Sequence, residues 1–561
     1  KNFESAIHGG GFAAGGSATN NSILIDNWNL TNTLSYKKSI GDLHNFSLLA
    51  GYDVQKFENS QWGAQRTGLA DAFFDTYQGA FQNILPSTGN AFSEKAFAST
   101  FGRVSYDFNK KYFLTVNYRR DGNSALGAGK KYGTFGGVSG GWALSDEKFY
   151  ASLPFSNIAT SVKLRASWGK VGNGNLSNSY GSLSLYNSAL YGSVPTFAFS
   201  QGGNPDLGWE TSKQTNIGAD IGLFKDRITL DLTYYNNNVD GLILNVPQSP
   251  SKGIPGNAIL QNIGAMYNHG FEAGITATVI RKGHFSWTSN FNYTHNNNKV
   301  TDLFGEGAEI VGTTAASAET SNITRVGYSV GSLYGAKTAG VNPETGQRVF
   351  INKSGEKVQY NHSVPSGQSR WTYLDGKPAK AISVNDYYIL GNALPTFYGG
   401  FNNNFKYDNF DLSINFTYSG GNYIQNGTKG TWRDQRFWNN TTEVLTRWTT
   451  PGQVTNIPRV VIGDLLSNGS SFPISENVEK ADFIRLQTAS LGYRLPASLF
   501  GKTGISSARV YAQVFNAFLI TNYSGQDPDI SVNGNTNTTP GVDKNSVPQG
   551  RTFTFGVNIG F

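Results

Sequence analysis

Runs in which apolar and polar residues alternate with a period of two recur along the entire chain. The clearest is KQTNIGADIGLFKDRITLDLTYYNNN at 213–238, where two such runs flank a short turn at 224–227. A period of two is that of an extended strand, because successive side chains on a strand point to opposite faces. The pattern therefore predicts long antiparallel hairpins, and it returns at 401–421 and at 551–561.

The polar rows of these runs decide which kind of sheet they form. Within 410–418 every second residue is apolar, and the residues between are Asp411, Ser413, Asn415 and Thr417. A soluble sheet would place Lys and Glu on the face opposite its core. Rows of Gly, Ser, Thr, Asn and Gln instead indicate a wet interior, so we expect the apolar rows to face lipid. The alternative is a large soluble β-sandwich or solenoid.

The composition is compatible with a membrane barrel and excludes several other classes. No run approaches the roughly 18 apolar residues of a membrane-spanning helix. Barrel strands carry only alternate residues to lipid and leave the mean hydropathy low, here −0.35. The net charge of +7 is spread singly along the chain rather than gathered in a basic stripe, so we expect no nucleic-acid partner. The absence of cysteine removes disulfides and thiolate metal ligands.

Short and long connections alternate along the chain. The short turns lie at 39–42, 108–111, 224–227, 281–284 and 406–409. The long polar connections lie near 58–93, 174–209, 243–259, 301–394 and 424–479. Outer-membrane barrels have short periplasmic turns and long external loops. The layout predicts about fifteen membrane strands, the first near 29–38 and the last at 551–561.

The parity of that count carries a further expectation. Counted back from the last strand, the first strand runs inward from the side of the long loops. We therefore expect residues 1–28 to be an external loop and residues 29–561 to be the C-terminal part of a barrel. Because bacterial single-chain barrels have an even number of strands with both ends in the periplasm, we expect earlier strands and any plug to precede this chain.

Catalytic and metal-binding patterns are weak in this sequence. The histidines have neither the HExxH pattern nor paired ligand spacing; they are His8, His44, His269, His284, His295 and His362. The stretch DPDISVNGN at 527–535 lacks the twelfth-position Glu of a calcium loop, and GKVGNGN at 169–175 opens no helix that could cradle a phosphate. We expect polar loops at both places, and neither a metal site nor an enzyme.

One external loop, at 428–452, concentrates side chains that favour binding. Aromatic and Arg mixtures are suited to stacking on sugars, binding peptides or anchoring a protein. The alternative is a loop folded on its own aromatic cluster. The candidate contact residues are Trp432, Arg433, Arg436, Phe437, Trp438 and Trp448. A second external excursion, at 341–358, predicts two small hairpins around its Gly-containing turns.

Seven blocks of the chain together resemble the SusC/RagA-like TonB-dependent transporters of the Bacteroidota outer membrane, and they occur in that family's order. The blocks are FGRVSYDFNKKYFLTVNYRRDGNSALGAGKKYGTFGGVSGGWALSDEKF (101–149), VKLRASWGKVGN (162–173), NPDLGWETSKQTNIGADIGLFKDRITLDLTYYNN (204–237), QNIGAMYNHGFEAGI (261–275), ILGNALPTFYGGFNNNFKYDNFDLSINF (389–416), DFIRLQTASLGYRLP (482–496) and PGVDKNSVPQGRTFTFGVNIGF (540–561). They are distributed over residues 101–561, which is most of the length of the chain.

The resemblance implies an all-β, antiparallel transmembrane barrel of 22 strands with a plugged lumen, of which this chain is the last fifteen or so. It implies the outer membrane, active import of large nutrients such as glycans or oligopeptides, and no cofactor. The implied partners are a SusD-like surface lipoprotein acting as a lid, TonB acting through the preceding part of the protein, and outer-membrane lipid. The alternative function is a SusC-like barrel that serves as a structural subunit of an assembly or secretion complex.

The run RTFTFGVNIGF at 551–561 resembles the C-terminal signal by which barrel-insertion machinery recognises its substrates. Its apolar row comprises Phe553, Phe555, Val557, Ile559 and Phe561. The backbone edge of such a strand is able to pair with the machinery during insertion. We expect these residues to form the assembly signal.

Overall fold

The computed structural model describes residues 2–7, 9–69, 81–85, 91–176, 178–314, 319–436, 438–501 and 504–561. From residue 2 to residue 262 the strands are β1 Asn2–Glu4, β2 Ser17–Ile40, β3 His44–Leu69, β4 Phe81–Leu85, β5 Ala91–Phe108, β6 Tyr112–Asn123, β7 Tyr132–Ala143, β8 Ala159–Asn173, β9 Leu185–Tyr191, β10 Val194–Gln201, β11 Glu210–Leu223, β12 Ile228–Asp240, β13 Ile243–Pro247 and β14 Ala258–Asn262.

From residue 265 to residue 560 the strands are β15 Ala265–Lys282, β16 Phe285–Asp302, β17 Glu309–Thr313, β18 Thr320–Arg325, β19 Ser332–Gly335, β20 Lys337–Val341, β21 Arg348–Ile351, β22 Lys357–Tyr360, β23 Trp371–Tyr373, β24 Tyr388–Gly391, β25 Phe397–Tyr407, β26 Phe410–Gly420, β27 Tyr423–Asn426, β28 Val478–Lys480, β29 Phe483–Arg494, β30 Ser507–Thr521, β31 Val542–Asp543 and β32 Thr552–Gly560. The α-helix α1 spans Gly427–Trp432.

Short 3₁₀ helices punctuate the connections between strands. They span Gly9–Ala14, Leu144–Asp146, Tyr150–Ser152, Pro250–Lys252, Pro255–Asn257, Val384–Asp386, Thr442–Thr446, Ser475–Asn477 and Ala497–Leu499. In the described ranges no helix combines the length and the apolar character needed to cross a membrane.

The first of two compact units comprises Lys1–Gly140, Ser167–Lys213 and Val239–Ile263. In it β2 pairs with β3, β3 with β5 and β5 with β6, all antiparallel. The strand β1 pairs with the start of β2, and β4 pairs with the end of β3. The connecting segments pack on a small apolar core of Ala125, Leu126, Leu176 and Leu207.

The second unit comprises Gly141–Ala166, Gln214–Asn238 and Gly264–Phe561. Here β15, β16, β25, β26, β29, β30 and β32 form an antiparallel meander in which each strand pairs with the next. We call the described residues of the segments between β16 and β25, between β26 and β29, and between β30 and β32 the loop layer. Its apolar core consists of Ile323, Tyr334, Ala336, Phe350, Val358, Tyr360, Trp371, Tyr387 and Ile474.

The predicted short turns are confirmed, because each lies between two consecutive long strands. The turn between β5 and β6 contains Asn109 at φ 50° and Lys110 at φ 55°. Two consecutive residues with positive φ match the right-handed twist of a hairpin, which explains why such short connections suffice. The two hairpins predicted at 341–358 are also confirmed, since β21 pairs with both β20 and β22.

The first long strand begins earlier than predicted. The strand β2 starts at Ser17 rather than near residue 29, and its pairing with β3 is continuous from Ser17 opposite Thr67 to Ile40 opposite His44. The long connection predicted from residue 58 is therefore strand as far as Leu69. The distal part of β2 carries Ile23, Leu24 and Ile25 in succession rather than alternately, so it gives no period-two signal.

The predicted alternation is visible in the exposure of the side chains. The apolar rows are open to the surroundings: Leu34 is 76% exposed, and Val104, Leu114 and Val116 on neighbouring strands are also exposed. Exposed apolar residues on strand after strand are typical of the lipid-facing surface of a membrane barrel. Aromatic rings gather where strands meet short turns, as in the contact of Phe410 with Tyr493, which is typical of the girdle at a membrane interface.

Candidate functional site

The predicted contact loop begins with α1, which the side chain of Asn426 caps by accepting a hydrogen bond from the Lys429 backbone. The helix lies at the end of β27, which pairs antiparallel with β28 and parallel with β31. Two segments of the loop layer, the one between β26 and β29 and the one between β30 and β32, therefore meet at its start. Two of the candidate residues project from this frame, since Trp432 is 39% exposed and Trp438 is 52% exposed.

The other candidates hold the loop together. Arg433 is buried and makes a two-pronged ion pair with Glu443, and the pair lowers the pKa of the Glu443 carboxyl. Arg436 makes a two-pronged pair with Asp434. The indole of Trp448 donates a 2.6 Å hydrogen bond to the carbonyl of Pro343.

Phe437, the remaining candidate, lies outside the described residues. The candidates thus divide into an exposed tryptophan pair, Trp432 and Trp438, and a framework formed by Arg433, Arg436 and Trp448.

Polar contacts between distant segments fix the loop layer. The Lys544 ammonium contacts both carboxylate oxygens of Glu319, at 2.7 and 2.9 Å, and both side chains are about nine-tenths buried. Glu479 accepts hydrogen bonds from Lys429 and from both the backbone and the hydroxyl of Ser524. Burial alone would raise the pKa of the Glu479 carboxyl, but the hydrogen bonds from Ser524 and the Lys429 ammonium lower it.

A deeply buried ion pair joins the start of β29 to the segment before β32. The guanidinium of Arg485 contacts Asp527 at 2.6 and 3.2 Å, and the side chains are 3% and 2% exposed. Asp527 and Asp529 belong to the stretch 527–535, which is a polar loop as predicted. Asp529 is 3.9 Å from Arg485 and its side chain remains 53% exposed.

Arg348 on β21 is fully buried. Its guanidinium donates to the carbonyls of Ser467 and Asn456 at 2.8 and 2.7 Å, and burial lowers its pKa to about 10. This residue ties the 341–358 hairpins to the segment that precedes β28.

The polar strand face of the first unit is charged. Arg103 donates to Asn117 at 2.8 Å, and Arg119 pairs with Asp121 and lies 5.3 Å from the Phe101 ring centre. These side chains, with Gly136 and Gly169, line an open cleft of about 640 Å³.

In the second unit, the polar faces of β8, β11 and β12 also carry charged residues. Arg165 contacts Asp220 at 3.0 Å and also contacts Asp231 and Thr233. A cleft of about 650 Å³ runs from Asp220 and Asp231 towards Thr276 on β15.

On the meander of the second unit the middle of the polar face is neutral, whereas Lys406 and Asp411 on the same face are charged. Two rows of uncharged polar residues run across the meander in register, the first from β15 to β29 and the second from β15 to β32. The first row is Thr276, Asn290, Asn402, Asn415 and Thr488, and the second is Thr278, Thr288, Asn404, Ser413, Ser490, Gln513 and Thr554. We call these two rows the neutral band. A 2.7 Å hydrogen bond from Asn290 to Thr276 confirms that neighbouring members share one face.

The apolar row of β32 is exposed, with Phe555 at 81% and Phe561 at 89%, and Phe553, Val557 and Ile559 are exposed as well. The opposite row packs closely, since the ring of Tyr511 covers Gly556.

His269 on β15 and His295 on β16 are diagonal neighbours across these paired strands, and the other described histidines have separate contacts. His44 contacts Tyr106, His284 contacts Asp408, and His362 contacts Tyr360. Among the described residues no group of three or more His, Cys, Asp or Glu is placed to hold a metal ion. His8 lies outside those residues.

The sequence also matches a family model described as TonB dependent receptor-like, beta-barrel, over residues 2–351. The chain belongs to this family. The family is one of receptors rather than enzymes, and the predicted resemblance to SusC/RagA-like proteins is confirmed by the relatives that follow.

TonB-dependent receptor P3 of Formosa agariphila is 33% identical over 574 residues, which cover 98% of this chain and 54% of that protein. TonB-dependent receptor P39 of the same organism is 32% identical, with 94% and 52% covered. TonB-dependent receptor SusC of Bacteroides thetaiotaomicron is 27% identical, with 94% and 49% covered. The chain thus spans about half the length of these relatives.

A solved structure, that of the RagAB peptide transporter, superposes with a TM-score of 0.80 at 24% identity, covering 97% of this chain and 56% of that one. The fold is therefore the antiparallel transmembrane β-barrel of TonB-dependent receptors, as predicted. In such a barrel the apolar strand faces meet lipid and the polar faces line the interior.

Sequence reasoning did not find the framework of the loop layer. The contact between Lys544 and Glu319 spans 225 residues, and no local pattern relates the two positions. A charged residue in a loop that packs as a core needs a partner, but the sequence does not indicate which residue supplies it.

Proposed function

We propose that the complete protein is an outer-membrane importer of large nutrients, glycans or oligopeptides, driven through TonB. Family membership supports this proposal, as do the two faces of the long strands, one apolar and exposed and the other polar. A polar interior behind a lipid-facing surface is what a passage for hydrophilic nutrients requires. The curated relatives reported above are named TonB-dependent receptors, and RagAB is named a peptide transporter.

Uptake by intact cells tests this proposal. Cells that express the complete protein should accumulate a nutrient that induces expression of its gene. A protonophore or deletion of TonB should abolish this accumulation. Unchanged uptake under both treatments would refute TonB-driven import. Loss of an envelope protein complex without any loss of uptake would favour the structural-subunit function instead.

A SusD-like surface lipoprotein is the proposed external partner, and the tryptophan pair is its proposed contact. Trp432 and Trp438 are exposed side chains on a loop that Arg433 and Glu443 hold rigid. Exposed tryptophans on a preorganised frame are the residue type that concentrates binding energy in protein interfaces.

Replacing Trp432 and Trp438 by Ala should reduce recovery of the lipoprotein in affinity purification of the complete protein. Trp168 is the control, because it is equally exposed, at 50%, but lies in a membrane strand, β8. Equal recovery with the loop variant and the Trp168→Ala control would remove the pair from the interface.

We also propose that the apolar row of β32 is recognised by the barrel-insertion machinery. Its five exposed apolar side chains and its pairing with β30 along one edge support this role.

A further inference from the structure

An apolar cleft lies on the lipid-facing side of the first unit, across β2, β3, β5 and β6. Strand register places Leu34, Ala50, Gly102 and Tyr118 side by side in one row. The next row towards the short turns is apolar as well and includes Leu48 and Val104. These side chains line a cleft of about 420 Å³.

The depth of the cleft comes from two small residues at its floor. Ala50 and Gly102 stand directly opposite each other, and they are flanked by Leu34, which is 76% exposed, and Tyr118, which is 53% exposed. A Cβ atom added at Gly102 would lie 3.5 Å from the carbonyl oxygen of Leu49 and would meet no side chain. The space above Gly102 is therefore open to the lipid that surrounds the barrel.

The row on the other side of the cleft is polar, although it belongs to the same face. It consists of Asn32, Tyr52, Thr100 and Arg120. Tyr52 follows His44, the first residue of β3, by eight residues. At about 3.4 Å per residue and a strand tilt of about 40°, this distance corresponds to roughly 20 Å of membrane height. Because the apolar band of a barrel is about 25 Å tall, the polar row lies near its boundary on the side of the long loops.

Arg120 supplies a cation at this boundary. Its guanidinium lies 5.0 Å from the ring centre of Tyr132, which is 60% exposed. Within the described ranges no carboxylate pairs with Arg120, whereas its neighbour Arg119 pairs with Asp121 on the opposite face. A guanidinium presents a planar fork of donors that matches the oxygens of a phosphate. Arg120 therefore has an unused charge and the geometry to bind an anion.

We propose that the cleft and Arg120 together bind one phosphate-bearing lipid. Its acyl chain lies over Ala50 and Gly102, and its phosphate contacts the guanidinium of Arg120. Charge complementarity selects this occupant, because lipid tails are as apolar as Leu and the cleft alone would accept any acyl chain. The hydroxyls of Tyr52 and Thr100 are additional donors in the adjoining row. The site is separate from the proposed import function, since it lies on the outer surface of the barrel.

Native mass spectrometry of the complete protein in detergent tests the proposal with three probes. The probes are dioleoyl phosphatidylglycerol, dioleoylglycerol, which has the same chains without a phosphate, and glycerol phosphate, which has no chains. We expect retention of phosphatidylglycerol only. Equal retention of dioleoylglycerol or of glycerol phosphate would overturn the proposal, because one half of the site would then make no contribution. Retention needs neither TonB nor a nutrient, so neither result changes the proposal of import.

A charge variant tests the phosphate contact. Arg120→Gln should lower retention of phosphatidylglycerol about tenfold, because a charge-assisted contact is lost. Arg119→Gln is the matched control, since it makes the same change at the next residue of β6, on the opposite face, and it should retain the lipid normally. Equal retention by the two folded variants would refute the role of Arg120.

A filling variant tests the position of the acyl chain. Gly102→Leu should lower retention about threefold, because only packing contacts are lost when one apolar group replaces another. Gly140→Leu on β7 is its control, because a Cβ atom there lies 3.8 Å from the carbonyl oxygen of Phe113 and is accepted equally well outside the cleft. Heat-modifiable migration in gel electrophoresis checks that every variant is folded. Equal retention by Gly102→Leu and Gly140→Leu would refute the proposed position of the chain.

Discussion

Replacing Asp527 by Asn should loosen the segment between β30 and β32. The change removes the charge that balances Arg485, whose side chain is 3% exposed. Breaking a buried ion pair by removing one partner costs about 3–5 kcal/mol, because the remaining charge is left without compensation. Asp529 stands 3.9 Å from the same guanidinium and is able to supply part of that compensation. We therefore expect a cost near the lower end, about 3 kcal/mol.

Hydrogen exchange of the complete protein in detergent measures this cost locally. A loss of about 3 kcal/mol in the free energy of local opening corresponds to roughly 100-fold faster exchange of protected amides. The effect should be confined to residues 522–550 and the start of β29. The membrane strands should exchange as before, because their hydrogen-bond ladders do not depend on this pair.

Two further variants test whether the buried pair of Arg485 and Asp527 stabilises the loop layer. Asp529→Asn neutralises a carboxylate that is 53% exposed and should change the opening free energy by less than about 1 kcal/mol. Replacing Arg485 by Met together with Asp527→Asn should recover most of the protection, since no unpaired charge then remains. If Asp527→Asn exchanges no faster than Asp529→Asn, burial of the pair does not stabilise the loop layer.

Three other outcomes are expected. Phe416→Arg should destabilise the barrel by about 2–4 kcal/mol in folding titrations into lipid vesicles. Asn415→Arg should destabilise it by clearly less, because only Phe416 belongs to the lipid-facing row. The reverse order of the two variants would contradict the assignment of faces. Glu479 has a lowered pKa, so its contribution to the loop layer is complete above its ordinary value of 4.5 and is lost as the pH falls through the lower folded-state value. Protease resistance of the loop layer should therefore fall on acidification, and Glu479→Gln should weaken that dependence, to which Glu443 also contributes. Phe561→Ser in the complete protein should lower membrane insertion and raise periplasmic degradation, whereas full insertion would show that β32 is not the signal.

The sequence by itself determined the class of fold and the faces of its strands. Alternation along a strand depends on neighbours two residues apart, so the run at 213–238 already separates the row of Ile228, Leu230 and Leu232 from the row of Thr229 and Asp231. The short turns were equally local, because the conformation of a hairpin turn is set by two or three residues.

Tertiary structure decided which loop residues are available for binding. From sequence, Trp432 and Arg433 are equal candidates, yet the structure leaves the first exposed and buries the second against Glu443. The fold of the whole chain determines which residue pairs with a buried charge, as with Lys544 and Glu319. Whether a residue is buried likewise depends on the fold rather than on the residue type.

The neutral band likewise belongs to the tertiary structure. Each strand shows a polar row by itself, but only strand register places Asn290, Asn402 and Asn415 side by side. A shift of one residue in any pairing would turn that strand's polar row to the opposite face. Register follows from the turns and the apolar rows together, so the sequence contains the band but only the assembled sheet brings its members into one surface.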